Sequence, residues 1–407
     1  MNFDKLLFDR FQEDFTKLKP AQLKSLIRVK TQTVIPSLDD IDFTSKQRVK
    51  IGIDPTGVDL HLGHLVPLMI LNIFVKSGHH VDFVIGDFTA TVGDPSGQVA
   101  ERAVITAADI ERNYQTYVAQ VGKYIDTKKF NTRRNSEWLD KIPLREAYGV
   151  FAKLNLATAI QREDFRKRME TGGVSVAEVC YAALMGWDSV ALNTTIELGG
   201  LDQLLNLQQC REIQRIYGQK PEVIITTPIL EGLSGDGRKM SKSYNNYIAI
   251  NSTSEDKFGK IMSLPDGLLM QYFKCFGYLY EEELKELEAF IKKSPMEAKK
   301  QLATYVVAME TGLQAGQKER EHFEQKFSKK QLADSDFVKL NIKKGTMLLD
   351  ALMTSGQFAS KGELKRLLTS KAIKNLDADK SIEVDITLTN GVKVRVGKLK
   401  FFELVVN

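Results

Sequence analysis

Cysteine is scarce in this chain, and long hydrophobic runs are missing from it. The three cysteines, Cys180, Cys210 and Cys275, are odd in number and widely spaced, so neither a disulfide framework nor a zinc cluster is indicated. No apolar run approaches the roughly 18 residues that a membrane helix needs, and residues 1–30 lack the apolar block of a signal peptide. We therefore expect a cytoplasmic protein with no membrane association.

The excess of positive charge is also small. The 407 residues carry a net charge of +5, and their hydrophobic and charged fractions of 43% and 27% are ordinary for a globular protein. At roughly 150 residues per domain, a chain of this length forms two or three domains. A charge of this size permits a nucleic-acid partner but does not require one.

The first candidate site lies within residues 50–64. Alternating apolar residues predict a strand that ends at the turn cluster Asp-Pro-Thr-Gly of 54–57, and a helical apolar pattern begins at about residue 61. His61 and His64 would then lie in the first helical turn, where free N–H groups and the helix dipole favour an anion such as a phosphate. The alternative is that the two histidines only cap the helix or face solvent.

A second strand, predicted at 81–88, completes a strand–helix–strand unit, which implies a parallel sheet. Ligands of such sheets bind at the carboxyl ends of the strands. Both the Asp-Pro-Thr of 54–56 and the Gly-Asp-Pro-Ser-Gly of 93–97 would lie at that edge. An ordinary turn explains the second loop equally well.

A helix predicted over 174–188 places Tyr181, Met185 and Asp188 on one face. A buried acid needs a partner, so Asp188 is a candidate for binding a ligand hydroxyl or cation. The alternative is a carboxylate at the helix end that faces water. The Gly-Gly-Leu-Asp-Gln of 199–203 follows; it would admit a flat ring and offer an acid to a ribose hydroxyl, although a tight turn also explains its glycines.

A buried strand predicted at 223–228 is followed by a glycine-rich stretch and then by Lys-Met-Ser-Lys-Ser at 239–243. Backbone of this kind, with clustered ammonium and hydroxyl groups, is typical of a loop that closes over phosphates and neutralises developing charge. The alternative is a basic loop that lies in solvent.

The motifs run in one order, each at a predicted strand end or helix start. In this they resemble the class I aminoacyl-tRNA synthetases, and most closely the bacterial tyrosyl-tRNA synthetases with an intact Lys-Met-Ser-Lys-Ser loop. The resemblance covers nearly the whole chain, including Asn-Ser-Glu-Trp at 135–138 and Asp-Ser-Val-Ala-Leu at 188–192. It implies an enzyme that activates tyrosine with ATP and transfers it to the 3′ end of tRNA(Tyr). Mg²⁺ would arrive with ATP, with no metal held by the protein itself.

The resemblance also implies roles for particular residues. The catalytic residues would be His61 and His64 at the phosphates, Lys239 and Lys242 at the leaving pyrophosphate, and Arg102. The implied ATP-binding residues are Gly52, Asp54, Thr56, His61, His64, Gly200, Asp202 and Lys242. The implied amino-acid-binding residues are Asp54, Asp94, Tyr181, Met185, Asp188 and Gln203. Among these, Asp188 would accept a hydrogen bond from the phenol hydroxyl, which is how such a site rejects phenylalanine.

Three positions depart from the family pattern. Met185 stands where the family commonly has Gln, and Trp187 stands where it commonly has Tyr. Both would therefore alter the pocket that binds and selects the amino acid. Gln98 replaces a common Lys, and Arg102 would compensate for the lost charge. Two alternatives to tyrosine activation follow: a paralogue with altered specificity for a related aromatic amino acid, or an inactive paralogue that only binds RNA.

The predicted fold class is α/β, with a doubly wound, Rossmann-like parallel sheet in a catalytic domain at 1–230. The loop and an α-helical anticodon-side domain follow at 231–330, a polar linker at 331–344, and a small α+β domain, similar to S4 RNA-binding domains, at 345–407. The implied RNA-binding residues are Lys361, Lys365, Arg366 and Lys371, on one side of a helix capped by Ser360. The family also implies a homodimer. An amphipathic helix in residues 1–30 is compatible with a dimer contact or with packing inside the chain.

Overall fold

The computed structural model describes residues 2–94, 106–155, 163–171, 173–328, 336–358, 360–378, 380–397 and 400–407. The chain divides into two compact units, with the boundary between Arg320 and Glu321. Residues 1–230 and most of 231–330, predicted as separate domains, thus belong to one compact unit. Within the described ranges, no helix has the length and apolar character needed to cross a membrane.

A six-stranded sheet forms the centre of the first unit. Its strands are β1 (Thr33–Ile35), β2 (Arg48–Ile53), β3 (His80–Ile85), β4 (Asn131–Arg134), β5 (Ile196–Gly200) and β6 (Val223–Thr227). They lie side by side in the order β1, β6, β5, β2, β3, β4. β1 is antiparallel to β6, and the other neighbouring pairs are parallel. The predicted parallel sheet is confirmed.

The helices of the first unit connect and follow these strands. They are α1 (Phe3–Gln12), α2 (Pro20–Lys30), α3 (Leu62–Lys76), α4 (Thr89–Val92), α5 (Ala107–Val121), α6 (Ser136–Leu139), α7 (Leu144–Phe151), α8 (Glu163–Thr171), α9 (Val176–Leu192), α10 (Leu204–Ile216), α11 (Ser254–Met262), α12 (Leu269–Phe276), α13 (Leu284–Lys293), α14 (Pro295–Thr311) and α15 (Leu313–Phe323). The last of these runs past the boundary between the units.

The predicted strand–helix–strand unit consists of β2, α3 and β3. α3 is apolar nearly all round, with Leu65, Met69 and Ile73 fully buried, because it packs against both β3 and β5. β3 ends at Ile85, before the predicted residue 88. A Cβ on Gly86 would lie 2.0 Å from the Asp54 carboxylate, so the chain needs glycine where it turns past that side chain.

α9 is longer than the sequence pattern predicts. It begins after Ser175, whose hydroxyl accepts a hydrogen bond from the Glu178 N–H, and it ends at Leu192, before the left-handed residue Asn193 (φ 50°). Asp188 therefore lies inside the helix. The alternative of a carboxylate at the helix end is wrong, because Asn193 provides the C-cap.

The N-terminal helix α1 packs inside the chain. The side chains of Phe3 and Leu7 are fully buried, and the Phe3 N–H donates a 2.8 Å hydrogen bond to the Gln301 side chain of α14. The Phe3 ring lies 5.3 Å from that of Phe290 in α13. Of the two interpretations of this helix, packing within the chain is the one that the structure supports.

The second unit is built on a five-stranded sheet. Its strands, β7 (Val338–Ile342), β8 (Ile373–Asn375), β9 (Lys380–Ser381), β10 (Val392–Val396) and β11 (Lys400–Val406), lie in the order β7, β11, β10, β8, β9. Helices α16 (Leu348–Met353) and α17 (Lys361–Thr369) and a π-helical turn at Glu324–Ser328 accompany it. Leu348, Leu364, Val394 and Phe402 are fully buried in its core.

One segment of this sheet is predicted as linker. Within 331–344, residues Val338–Ile342 pair in parallel with the end of β11, from Phe402 to Val406. The polar residues here alternate with Leu340 and Ile342, which suits an edge strand that is buried on one face, so composition alone misled the prediction. Residues 331–335 lie outside the described residues.

Candidate active site

A cavity of about 430 Å³ lies at the carboxyl ends of β2 and β5. These neighbouring strands mark the point where the chain order of the sheet reverses, which is where open α/β sheets bind their ligands. Most of the predicted catalytic, ATP-binding and amino-acid-binding residues line this cavity: Gly52, Asp54, Thr56, His61, His64, Asp94, Tyr181, Met185, Asp188, Gly200, Asp202, Gln203 and Lys239. Thus the structure brings together residues from distant parts of the chain.

The remaining predicted residues fall into two groups. Arg102, Gln98 and residues 95–97 lie outside the described residues. Lys242 is not among the lining residues, but its Nζ lies 3.4 Å from where a Cβ on Gly57 would be, close to the turn after β2. Its charge also acts on both active-site histidines.

The two histidines lie at the start of α3. His61 is the N-cap, and its Nδ1 accepts a 3.1 Å hydrogen bond from the Gly63 N–H. The His64 Nδ1 accepts a 3.2 Å bond from the His61 N–H, and the ring centroids are 3.9 Å apart. Since Nδ1 is an acceptor in both rings, a neutral ring carries its proton on Nε2. The histidines both cap the helix and line the cavity.

Burial and nearby positive charge keep these imidazoles neutral. Burial, followed by His64 and the two loop lysines, lowers the pKa of His61 to about 2. Burial and Lys242 lower the pKa of His64 to about 4. Near neutral pH both rings are therefore uncharged N–H donors, and the positive charge at this end of the cavity comes from the lysines.

Gly63 allows this arrangement of the rings. A Cβ at this position would lie 2.9 Å from both Cε1 and Nδ1 of His61, closer than non-bonded atoms approach. Glycine is therefore needed here because the His61 ring takes the space that a Cβ would fill.

Asn246 holds the Lys-Met-Ser-Lys-Ser loop at the cavity. Its Nδ2 donates a 3.1 Å hydrogen bond to the Lys239 carbonyl, and its Oδ1 accepts a 2.8 Å bond from the Ser241 N–H. The next residues bond to the start of α3: the Leu62 N–H donates to the Ile248 carbonyl at 3.0 Å. The loop and the histidines therefore form one hydrogen-bonded assembly.

Carboxylates from two loops, Asp54 and Asp94, also line the cavity. Asp54 accepts hydrogen bonds from the Tyr181 hydroxyl at 3.0 Å and from the Thr89 hydroxyl at 2.8 Å. Asp94 accepts a 2.7 Å bond from the Gln203 side chain and a 3.3 Å bond from Asn206. Two oriented carboxylates suit a cationic ligand group such as an ammonium.

Asp188 lies on the α9 wall of the cavity with 3% of its surface exposed. Its Oδ1 accepts a 2.8 Å hydrogen bond from the Trp138 indole N–H. Burial raises the pKa of Asp188 to about 7, while the nearby Lys50 ammonium and the Trp138 bond oppose that rise. The carboxyl group is thus fixed in direction and is close to its titration point at neutral pH.

The two unusual residues of α9 lie on different sides of the helix. Met185 lines the cavity. Trp187 does not: its indole N–H donates a 2.7 Å hydrogen bond to the Tyr217 hydroxyl, and its ring packs edge-on against Phe151 at 5.8 Å. The prediction that Trp187 shapes the amino-acid pocket was wrong, because helical rotation turns it toward an apolar cluster.

Sequence reasoning missed several supporting residues. Asn246, Asn206 and Thr89 gave no signal, because short polar residues are common in loops and at helix ends. Lys50 and Glu197 did carry a signal in the sequence. Each is a charged residue inside an otherwise apolar strand, and parallel strands of a sheet buried on both faces rarely contain charged residues.

The predicted RNA-binding residues lie in the second unit. Ser360 caps α17 by accepting a hydrogen bond from the Glu363 N–H at 3.3 Å, and Lys365 and Arg366 are exposed on that helix. Lys361 pairs with Asp350 at 2.5 Å, and Lys371 pairs with Glu383 at 2.8 Å. Lys361 and Lys371 would have to leave these acids to bind a phosphate.

Comparison with known sequences adds independent evidence. A family model described as "tRNA synthetases class I (W and Y)" matches residues 43–328. The tyrosine–tRNA ligase of Thermotoga maritima is 39% identical over 373 residues, which cover 90% of this chain and 92% of that protein. The tyrosine–tRNA ligase of Aquifex aeolicus is 39% identical over 362 residues, which cover 88% and 91%.

Solved structures show the same fold at lower sequence identity. A C-terminally truncated mitochondrial tyrosyl-tRNA synthetase of Aspergillus nidulans aligns with a TM-score of 0.62 at 21% identity, covering 80% of this chain and 99% of that one. The tyrosyl-tRNA synthetase of Archaeoglobus fulgidus, complexed with L-tyrosine, aligns with a TM-score of 0.58 at 20% identity, covering 74% and 100%.

Proposed function

The chain belongs to the class I tRNA synthetases, among the tyrosine–tRNA ligases, and we propose how the residues around its cavity divide the work of that reaction. The enzyme joins tyrosine and ATP into tyrosyl-adenylate, releases pyrophosphate, and transfers the tyrosyl group to the 3′ end of tRNA. An oxygen of tyrosine's own carboxylate attacks the α-phosphorus. The protein therefore binds, orients and stabilises charge, and it forms no covalent intermediate.

His61 and His64 donate hydrogen bonds from Nε2 to the phosphates while the α-phosphorus is attacked. Their tautomer and neutrality support this role, because a neutral donor stabilises phosphate oxygens without a charge that must first be desolvated. Lys239 and Lys242 balance the charge that develops on the leaving pyrophosphate. Arg102 assists them there. Mg²⁺ enters bound to ATP and belongs to the substrate complex.

Gly52, Thr56, Gly200 and Asp202 bind the nucleoside part of ATP. Asp202 accepts a hydrogen bond from a ribose hydroxyl. Its Oδ2 lies 3.8 Å from the Lys239 ammonium, so the ribose site and the pyrophosphate site are adjacent. A Cβ on Gly200 would lie 2.5 Å from the Asp202 carboxylate, and a Cβ on Gly52 would meet no atom within 4 Å. The first glycine makes room for the acid, and the second leaves space beside the ligand.

Asp54, Asp94, Tyr181 and Gln203 bind the amino group of tyrosine. The two carboxylates offer negative charge to the ammonium, and the hydrogen bonds from Tyr181 and Gln203 hold those carboxylates in place. The Tyr181 phenol stays protonated as the donor, since burial and the Asp54 charge raise its pKa well above the ordinary value.

Asp188 accepts a hydrogen bond from the phenol hydroxyl of tyrosine. The observation that carries this assignment is a buried carboxylate that lines the cavity and is aimed by the Trp138 N–H at 2.8 Å. A site of this kind rejects phenylalanine because its polar groups would stay unpaired, and tyrosyl-tRNA synthetases are a standard example of that principle. Met185 provides the apolar side of the same pocket.

Amino-acid-dependent ATP–pyrophosphate exchange tests the amino-acid assignment. The wild-type chain should exchange with tyrosine and not with phenylalanine. Asp188→Asn should reduce the tyrosine-to-phenylalanine ratio of kcat/KM by at least about tenfold, because it removes the charged acceptor but keeps the shape. Asp140→Asn, an exposed acid near Trp138, is the control and should change nothing. Exchange with another amino acid in place of tyrosine would support the altered-specificity alternative. An unchanged tyrosine-to-phenylalanine ratio in Asp188→Asn would show that Asp188 does not bind the phenol hydroxyl.

The family's homodimer finds support on the outer surface of α7, α9 and α10. Leu144, Tyr148, Val176 and Leu205 expose between 51% and 80% of their surface. The last three line an apolar cavity of about 650 Å³. Exposed apolar surface of this kind marks interaction sites. We place the contact between two copies on this surface, and Val176→Glu should increase the fraction of monomer in analytical ultracentrifugation.

The second unit is the RNA-binding part of this proposal. Lys365 and Arg366 contact phosphates of tRNA(Tyr), and Lys361 and Lys371 extend their basic side. The helices from α11 onward in the first unit lie on the anticodon side of the bound tRNA. We place the enzyme in the cytoplasm, because its tRNA substrate is charged there.

A further inference from the structure

A buried ion pair lies at the wall of the cavity, which Glu197 lines. Lys50 and Glu197 face each other directly in the register of β2 and β5, and the Lys50 Nζ lies 2.6 Å from the Glu197 Oε1. Each side chain is only 1% exposed. Burying two charges is costly, and apolar residues of similar size would often give equal or greater stability. The pair therefore calls for a reason other than stability.

The same ammonium group also reaches the wall that carries Asp188. The Lys50 Nζ donates a 3.3 Å hydrogen bond to the backbone carbonyl of Met185. Met185 lies about one turn before Asp188 on α9. Lys50 thus ties the sheet beneath the cavity to the helical turn that presents Asp188 to the ligand.

Burial favours the protonated form of the other titratable groups near Asp188. Glu222 precedes β6, and burial followed by the nearby Glu197 charge raises its pKa well above the ordinary value. Burial likewise raises the pKa of the Cys210 thiol on α10 and of the Tyr181 phenol on α9. The remaining neighbours are uncharged: Trp138 and Asn135, which hydrogen-bond to Asp188, and Ser189, whose hydroxyl lies 3.2 Å from both Glu197 and Glu222.

Two nearby charges therefore act on Asp188, and they have opposite signs. Lys50 lowers the pKa of Asp188 and Glu197 raises it, and the lysine has the larger effect. The ionised carboxylate is the stronger acceptor for a phenol hydroxyl, while a protonated acid keeps a weaker acceptor oxygen and also presents its own donor to that hydroxyl. A change in the ratio of ionised to protonated Asp188 therefore changes how strongly and how selectively tyrosine binds.

We propose that Lys50 is a positioning residue for tyrosine selection, which fixes the Met185–Asp188 turn against the sheet and keeps the Asp188 carboxylate in its accepting form. This inference rests on the proposed role of Asp188 in binding the phenol. Glu197 balances the lysine charge, and Glu222 completes the cluster as a neutral acid.

Tyrosine binding measured against pH, without ATP, tests this role. Binding should strengthen as pH rises through the pKa of Asp188, which is about 7 in the wild-type chain. Lys50→Met should move that midpoint upward by about one pH unit and weaken tyrosine binding at neutral pH about tenfold, since one pKa unit is a factor of ten. Phenylalanine binding should change less, so the discrimination ratio falls.

Two further variants make the sign of the shift decisive. Glu197→Gln with Glu222→Gln leaves Lys50 as the one charged member of the cluster, and it should move the midpoint downward. Glu222→Gln alone replaces one neutral group by another and should leave the midpoint unchanged. If Lys50→Met does not fold, Lys50→Met with Glu197→Gln keeps a neutral cluster and should shift the midpoint upward by less.

The direction of the midpoint shift in these variants decides whether the proposed role of Lys50 is correct. Shifts of opposite sign for the lysine and the double glutamine variants support the proposal. Shifts of the same sign, or weaker binding with no shift, mean that the cluster only packs the wall, and they overturn it. Asp188→Asn separates this failure from that of the proposed function: if that variant keeps the wild-type pH profile and tyrosine preference, the role of Asp188 itself is wrong.

Discussion

The hydroxyl of Tyr181 donates a 3.0 Å hydrogen bond to the Asp54 carboxylate, and it joins α9 to the loop after β2. The other oxygen of that carboxylate accepts from the Thr89 hydroxyl. Asp54 is therefore held at both oxygens, each bond arriving from a different helix. A carboxylate fixed in this way binds an ammonium group without first losing rotational freedom.

Tyr181→Phe tests this relationship. Losing one hydrogen bond to a charged acceptor should raise the KM for tyrosine in ATP–pyrophosphate exchange about tenfold, with a smaller change in kcat. Tyr114→Phe is the matched control, because the Tyr114 ring packs against the Arg134 guanidinium and is not among the residues that line the cavity. An unchanged KM for tyrosine in Tyr181→Phe would show that Asp54 does not need this bond.

Asn246→Ala should lower kcat for adenylate formation about tenfold and leave tyrosine binding unchanged. The substitution removes the two hydrogen bonds that hold Lys239 and Ser241, each worth about 1 kcal/mol. Equilibrium binding of tyrosine and single-turnover kinetics measure the two effects separately. The neighbouring Asn245 has a left-handed backbone (φ 50°), so Asn245→Gly is tolerated and is the control. A loss of tyrosine binding in Asn246→Ala would instead indicate a general disturbance of the cavity.

The histidine pair should make stability depend on pH. The pKa values of His61 and His64 are about 2 and 4 in the folded chain, below the ordinary value of about 6.5 in the unfolded chain. The unfolded state therefore binds more protons below about pH 6.5, and the contribution of these groups to stability is present above that pH and is lost as pH falls.

Urea denaturation at about pH 7.5 and about pH 5 measures this dependence. The midpoint should fall with pH in the wild-type chain, and it should fall less in the variant His61→Asn with His64→Asn. Equal changes in the two proteins would mean that both imidazoles titrate normally in the folded chain.

Lys365→Gln with Arg366→Gln tests the RNA-binding surface of the second unit. Binding of tRNA should weaken, and the slope of log Kd against log salt concentration should fall by about two, one for each lost phosphate contact. Tyrosine-dependent ATP–pyrophosphate exchange, which needs no tRNA, should stay at the wild-type level. Lys343→Gln, an exposed lysine outside α17, is the control. Unchanged tRNA binding would place the contact elsewhere.

The sequence by itself determined the location of the site and most of its members. The end of the first predicted strand before residue 54 and the helix start at 61 could be predicted because alternation and helical spacing are local patterns. Parallel strands bring their carboxyl ends to one edge, so motifs far apart in the chain had to meet there.

Only the tertiary structure decided which side chains touch. The C-cap at Asn193 placed Asp188 inside α9, and helical rotation turned Trp187 away from the cavity. Pairing with β11 made a strand of Val338–Ile342. The contacts between Lys50 and Glu197, and between Trp138 and Asp188, join elements that are distant in the chain. Local patterns say which face of an element is apolar, but a polar partner depends on packing between elements, and that is decided only when the chain folds.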